Sequence, residues 1–556
     1  MPMPTNSKTL DAFLGITRKK RDDEKSDTKR MLDLEGFPDD EWTFKVANTN
    51  EFTHLIFHEY PARMIPQVAR KLIKLYYPHY DDQSRKKPML DPFGGSGTSC
   101  VEAMLRNIDS IAFDLNPLAH IIQEVKTTPI NPALLNQHLA SILHVVAAGG
   151  GNLVPESVPA VHQIHFWFSE RVISNLSAIK HAISTSFPEH AGEQAITRQL
   201  RNFFLVCLGK TTRDCSYQRK GENKTYRIER EKITDFDSKV NAITRFKQVA
   251  REYITAMGSY YSYIKKNKFT ASFKAVLGNS MTLEGIADGS IDLVVTSPPY
   301  GDSHTTVAYG QFSRFPLEWI LPDTKRVKDI DSQLLGGIEN NAEFPESQLL
   351  FETCKSIMKA QARQQKALII AHLSAIESSD LADVKIEMKS LDTFISGVES
   401  AISDAVDFQA FARIKKEYYS RLAGARGAGT KGNRWLDSRS LGKAGHFKVY
   451  ADRLGFVLSF FADFSKVLAR LFQVLGGDRK CCIVIGNRTV KNVQIPTDRI
   501  MIELGTNLGF EHVVTFYRDI PNKRMPLSNS PSNVPGEVSP TMDKEIIVVL
   551  NKPISK

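Results

Sequence analysis

Asp91, Asp114 and Ser297 each stand where an apolar run stops, and each is followed by residues that end a strand. The first closes "PMLDPF" and opens the glycine turn "GGSGT", the second closes the strand part of "SIAFDLNP", and the third follows "IDLVVT" and begins "SPPY". Glycines 94, 95 and 97 permit positive φ and close approach of backbone to a ligand. Ligands of open α/β sheets sit beyond the carboxyl ends of the strands, which is where these residues are expected.

The glycine turn is not a P-loop, because no Lys-Ser/Thr pair follows it, and it lacks the full GxGxxG of dinucleotide sites. Asp91 can meet a positively charged amino group, and Asp114 can accept both hydroxyls of a ribose, with Asn116 and Pro117 lining an adenine. An acid, a glycine turn and a second acid one strand later suit a cofactor with an amino-acid arm, a ribose and no phosphate. S-adenosylmethionine fits, against the plain alternative of a generic α/β turn.

Ser297-Pro298-Pro299-Tyr300 is a stiff projection, since proline cannot donate to a strand ladder and restricts the residue before it. The exocyclic amine of cytosine or adenine is a poor nucleophile because its lone pair is delocalised into the ring. Held rigidly, the Ser297 hydroxyl and the Pro298 carbonyl can accept both amino hydrogens while Tyr300 stacks on the base. Such a base must leave the duplex to be reached. The plain alternative is a Pro-rich turn over a packed tyrosine.

The surrounding pattern supplies a β-α-β unit: strand "PMLDPF", helix "CVEAMLRN", strand "SIAFDLNP". A helical pattern covers about 52–80, and residues 131–270 and 340–435 read mainly as helix. "KAVLGNSM" and "IDLVVTSPPY" return to strands. "FVLSFFADFSKVLARLFQVL" is helical with Gly476-Gly477 as its stop, "KCCIVIGN" is a buried strand, and "EHVVTFYRDI" with "KEIIVVLN" forms a closing antiparallel pair.

These residues resemble the S-adenosylmethionine-dependent DNA amino-methyltransferases, specifically the N4-cytosine type with its TSPPY signature, over most of the chain. "HEYPARMIP" (58–66) looks like the family's helical motif before the cofactor loop, "DPFGGSGT" like that loop, and "TSPPYGDSHTTVAYGQFSR" like its catalytic loop. "GGDRKCCIVIGNRTV" and "RDIPNKRMPLSNSPSN" are similar to C-terminal segments of one branch. The resemblance implies an α/β Rossmann-like methyltransferase fold, a mixed and mostly parallel sheet closed by an antiparallel strand, with large helical insertions. Ser297, Pro298, Pro299 and Tyr300 would be catalytic. Tyr60, Pro61, Asp91, Phe93, Gly94, Gly95, Gly97, Thr98, Asp114, Asn116 and Pro117 would bind S-adenosylmethionine. Adenine-directed relatives usually carry Asp or Asn in place of Ser297, so serine favours cytosine N4. Adenine N6, or a silent DNA-binding protein retaining the fold, are the alternatives. Asn279 stands where an acid contacting the adenine ring is expected.

The implied organisation is a disordered leader (1–45), a cofactor half (46–130), a helical insertion suited to target recognition (131–270), a catalytic half (271–335), a helical and basic insertion (336–445) and a C-terminal part (446–556). A net charge of +10 makes a polyanionic partner plausible, its distribution suits tracking a phosphate backbone, and the resemblance implies that this partner is duplex DNA. Arg213, Arg219, Lys220 and Lys224 lie in a cationic run with tyrosines, and Arg421, Arg426, Lys431 and Arg434 in a Gly-rich basic stretch. A restriction endonuclease is an expected companion. Leu10, Phe13 and Leu14 look like a sliding-clamp peptide, with Ser7 where glutamine is preferred. His54 and His58 sit i, i+4 with Glu59 and could ligate a metal, but no further ligand accompanies them and methyl transfer needs none. With six cysteines showing no CxxC pair and no apolar run near ~20 residues, the expectation is a reducing cytoplasm and no membrane span.

Overall fold

Successive strand residues alternate between two cores. The computed structural model describes residues 42–44, 52–54, 59–80, 86–189, 194–221, 224–301, 307–321, 330–336, 345–374, 381–424, 453–520, 528–529, 539–540, 542 and 544–554. Leu90, Val294, Ile483 and Val548 join one buried cluster, while Met89, Leu293, Cys482 and Val549 join another. A sheet covered on both faces requires this reversal at every residue.

The sheet strands are β1 (Met89–Asp91), β2 (Ser110–Asp114), β3 (Phe273–Leu277), β4 (Ile291–Thr296), β5 (Leu475–Ile485), β6 (Glu511–Asp519) and β7 (Lys544–Lys552). Their spatial order is β3-β2-β1-β4-β5-β7-β6. The first five are parallel, and β7 lies antiparallel between β5 and β6. The chain builds outward from β1 in one direction and from β4 in the other. Its switch point is therefore between β1 and β4, where a crevice opens at the carboxyl ends.

Helices α1 (Pro66–Tyr76) and α2 (Thr98–Met104) cover one face through Val68, Leu72, Cys100 and Ala103. Then α3 (Pro117–Thr127) begins at Asn116, whose side chain accepts the Leu118 N–H at 3.0 Å, with Pro117 as first helical residue. Among the described residues four long helices follow: α4 (Pro132–Ala148), α5 (Glu170–Ser186), α6 (Ala195–Cys215) and α7 (Ala242–Lys266). They pack on α3 and on α8 (Tyr309–Ile320), which succeeds the SPPY loop. The helices α9 (Gln348–Ser374), α10 (Leu381–Asp404) and α11 (Phe408–Gly424) form a second group. It adjoins α12 (Arg453–Val474) and α13 (Thr497–Asn507) on the other face of the sheet.

The expected α/β fold with a mostly parallel sheet and helical insertions is the one observed. Four boundaries differ. Residues 59–65 are turn and extended chain, so the expected helix of "HEYPARMIP" starts only at Pro66. Gly476 and Gly477 lie inside β5, which begins directly after α12, so they do not form the stop. Trp42 and Phe44, assigned to the leader, are each 2% exposed. The Trp42 ring lies 4.7 Å from that of Phe516 and under the Lys71 ammonium, and burial of two large aromatics outweighs the polar sequence around them. Finally, α11 reaches Gly424, which places Arg421 on a helix where a Gly-rich basic stretch was expected. Leu10, Phe13, Leu14, His58, Arg426, Lys431 and Arg434 lie outside the described residues.

Candidate active site

The loop between β1 and α2 is fixed from three sides. Gly94 N–H donates to the Phe113 carbonyl at 2.9 Å, Gly95 N–H to Asp114 Oδ2 at 2.9 Å, and Gln123 Nε2 to the Gly95 carbonyl at 3.0 Å. Gly95 and Gly97 have φ of 49° and 78°, which accounts for glycine at both. Gly94 is required for another reason: a Cβ there would fall 2.7 Å from both Ala112 Cβ and Gln123 Nε2.

Asp91 is 3% exposed and ties the switch point together. Its Oδ1 accepts from Thr296 Oγ1 at 2.7 Å and from the Phe93 N–H at 3.1 Å, and its Oδ2 accepts from the Ser99 hydroxyl. A carboxylate has about four acceptor sites, so roughly one remains for a ligand cation. Burial raises its pKa, against the pull of these three donors. Asp114 accepts the Asn116 and Gly95 N–H groups, one on each oxygen, at 2.8 and 2.9 Å. Burial nevertheless pushes its pKa up to about 6.

Both acids line one cleft with Ser297 and Pro299. The cleft is open in part to solvent. Tyr60, Pro61, Phe93, Gly94, Gly95 and Thr98 also line it. The Tyr60 and Tyr309 rings stand 5.9 Å apart on one side. Asn279 is on the wall, its side chain accepting the Met281 N–H at 2.9 Å. Of the other lining residues, Arg63 and Tyr309 fall within the segments that resemble the family's motifs, whereas Gln333 to Leu335 carried no sequence signal for that role.

A nucleoside with an amino-acid arm suits this donor set. Asp114 offers acceptors for a diol, Asp91 a residual acceptor for an ammonium, and the glycine backbone leaves space beside the Tyr60 ring.

Asn116 and Pro117 do not line the cleft. The Asn116 side chain is fully buried, donating to Ser313 Oγ at 2.7 Å and Tyr60 Oη at 3.3 Å while capping α3, so it joins helices and has no surface for an adenine. Gly97 also lies off the wall, as the left-handed residue that starts α2. Pro298 is buried, and Tyr300 is half-buried with its hydroxyl donating to Glu545 Oε1 at 3.1 Å. Neither lines the cleft. Arg488 closes over Gly301, where a Cβ would meet its guanidinium at 2.5 Å.

Arg213 is a correction. It is 7% exposed, with its guanidinium 3.7 Å from the Phe312 ring and bonded to the Phe312 carbonyl at 3.2 Å and to Gln218 at 3.3 Å. It fastens α6 to α8 and presents no open face to phosphate. Arg219 and Lys220 are exposed and Lys224 is half-buried, on a hairpin closed by Arg219 N–H to the Tyr226 carbonyl. Thr225 Oγ1 donates to the Gln311 carbonyl at 3.1 Å, which sets this hairpin beside α8.

Among the described residues, no His, Cys, Asp or Glu group suits a metal ion, and no helix is long and apolar enough to cross a membrane. His54 is fully buried and bonded at 2.9 Å to Glu102, which also receives Arg70 and Arg106.

Comparison with known proteins gives two relatives. The chain is 30% identical over 524 residues to the type II methyltransferase M.MvaI of Kocuria varians, spanning 92% of this chain and 94% of that protein. A 96-residue stretch is 31% identical to the type II methyltransferase M.MjaII of Methanocaldococcus jannaschii, 17% of either chain. No family model matches, and no solved structure matches.

Proposed function

Because the chain belongs to the type II methyltransferases, site-specific DNA methyltransferases that use S-adenosylmethionine, we propose that it methylates the N4 amino group of cytosine in duplex DNA. The observation that carries this reading is the shared cleft: Asp114, suited to a ribose, and Ser297, suited to an amine, stand on its walls. The donor, when bound, supplies an electrophilic methyl group on its sulfonium. Asp91, Gly94, Gly95, Asp114 and the Tyr60 ring would hold it.

The chain's own residues prepare the nucleophile. Ser297 and the Pro298 carbonyl accept the two amino hydrogens, drawing the nitrogen toward tetrahedral geometry and localising its lone pair. Proline stiffness fixes both acceptors before the base arrives, which lowers the cost of orientation. Tyr300 stacks on the base once it leaves the duplex, so its flipping is compensated by aromatic contact. The hairpin carrying the exposed Arg219 and Lys220 and the half-buried Lys224 sits beside α8 and meets phosphates, with Arg421, Arg426, Lys431 and Arg434 as further phosphate contacts. The biological setting is cytoplasmic self-protection beside a cognate restriction endonuclease.

Ser297→Ala tests the division of labour. Turnover on unmethylated plasmid DNA is expected to fall roughly a hundredfold or more, with the dissociation constant for S-adenosylmethionine nearly unchanged. Unchanged turnover removes Ser297 from the chemistry.

A further inference from the structure

The far end of the Tyr300 ring is held by a charged pair on the antiparallel part of the sheet. Glu545 on β7 stands directly opposite Arg518 on β6. One carboxylate oxygen accepts the Tyr300 hydroxyl at 3.1 Å, and the other pairs with the Arg518 guanidinium. Arg518 is 4% exposed, and its Nε donates to the Trp42 carbonyl at 3.2 Å. The ring edge is bounded by Gly486 at the end of β5, where a Cβ would fall 3.1 Å from Tyr300 Cδ2 and overlap Met542 Sδ. The Ser297 hydroxyl faces the same phenol oxygen.

We propose that Glu545 is a positioning residue for the reaction, fixing the tilt of Tyr300 relative to Ser297 so that the stacked base presents its amino group to both acceptors. This rests on the reading that Tyr300 stacks on the target base. The physical need is specific. A tyrosine on a loop keeps freedom about two side-chain torsions, and a hydrogen bond at its para position removes the ring tilt that stacking alone leaves open. An ionised acceptor gives a shorter and stronger bond than a neutral one. Arg518 in turn prevents the carboxylate from turning away, and is itself secured by the buried backbone at Trp42. An error of about 1 Å in a reacting group costs on the order of a hundredfold in rate, so such a tether has leverage on chemistry without touching the cofactor.

The test uses the full chain, tritiated S-adenosylmethionine and unmethylated plasmid DNA under single-turnover conditions. Glu545→Ala is expected to slow methyl transfer roughly tenfold to a hundredfold. Cofactor affinity by calorimetry should stay near that of the parent, whereas the thermal midpoint should fall because Arg518 loses its carboxylate; Tyr300→Phe, which keeps that pair, should hold the parental midpoint. Glu545→Gln keeps an acceptor oxygen and should restore most of the rate. Tyr300→Phe keeps the ring but lacks the hydroxyl, so it should match Glu545→Ala, and the double variant should be no slower than the slower single one. Parental rate in Glu545→Ala, with Ser297→Ala inactive, overturns the proposal and leaves the site reading intact. Parental rates in both variants overturn the site reading as well. Multiplicative losses in the double variant would show that Glu545 acts elsewhere than through the phenol, and also overturn it.

Discussion

The Gly95 backbone N–H donates to Asp114 Oδ2 at 2.9 Å, so the glycine loop leaving β1 is fastened to the acid that ends β2. The bond makes the floor and the wall of the cleft a single unit. Disturbing either side should reach both stability and cofactor binding.

Gly94 is the sharpest place to disturb it. Gly94→Ala puts a methyl 2.7 Å from Ala112 Cβ, which belongs to the packed face of β2 and has no room to retreat. Overpacking of this kind costs about 1–3 kcal/mol, and the loop shift should weaken S-adenosylmethionine binding at the same time. Urea unfolding and calorimetry on the same sample check both. Gly285 and Gly289 serve as controls: both have positive φ and nothing within 4 Å of a Cβ, so alanine at either should act through backbone strain alone and spare the cofactor.

Asp114 should make cofactor binding sensitive to mild acid. Burial, the largest effect, raises its pKa to about 6, above the value of an exposed carboxylate near 4. With the folded pKa the higher one, ionisation of this group weakens the fold above pH 6, and that penalty fades as pH falls from 6 toward 4. Acceptance of ribose hydroxyls by both oxygens needs the ionised form, so affinity for S-adenosylmethionine should fall as pH drops through about 6. Asp114→Asn should bind weakly at every pH, with that inflection gone. Calorimetric titrations across the weakly acidic to neutral range compare the two.

Arg213 and the hairpin beyond it should behave oppositely. Arg213→Ala removes a buried cation that stacks on Phe312, and is expected to destabilise the fold by about 1–3 kcal/mol without changing the salt slope of DNA binding. Alanine at Arg219, Lys220 and Lys224 together should leave the thermal midpoint within a few degrees. It should also flatten the slope of log affinity against log salt by roughly 0.9 for each lost phosphate contact. Binding titrations at several salt concentrations separate the variants.

The strand ends were legible in the sequence because each is a short apolar run halted by Asp-Pro, Asp-Leu-Asn-Pro or Ser-Pro-Pro, and strand termini of this type project ligand-facing groups. Arg213 was not, because its partner Phe312 lies 99 residues away and local composition shows only a cationic run. Asn116 carried a readable signal for another role: Asn before Pro at a helix start is a cap, and its second bond to Ser313 depends on tertiary packing. Trp42 and Phe44 are buried by a surface that charged neighbours in the sequence conceal. The wall from Gln333 to Leu335 comes from a segment with no periodicity to read.

The proposed chemistry stands or falls on the atom that receives the methyl group. Unmethylated plasmid DNA incubated with the protein and S-adenosylmethionine, then digested to nucleosides, gives a product that mass spectrometry identifies directly. The account predicts N4-methylcytosine; N6-methyladenine, or no methylated nucleoside at all with cofactor bound, would contradict it.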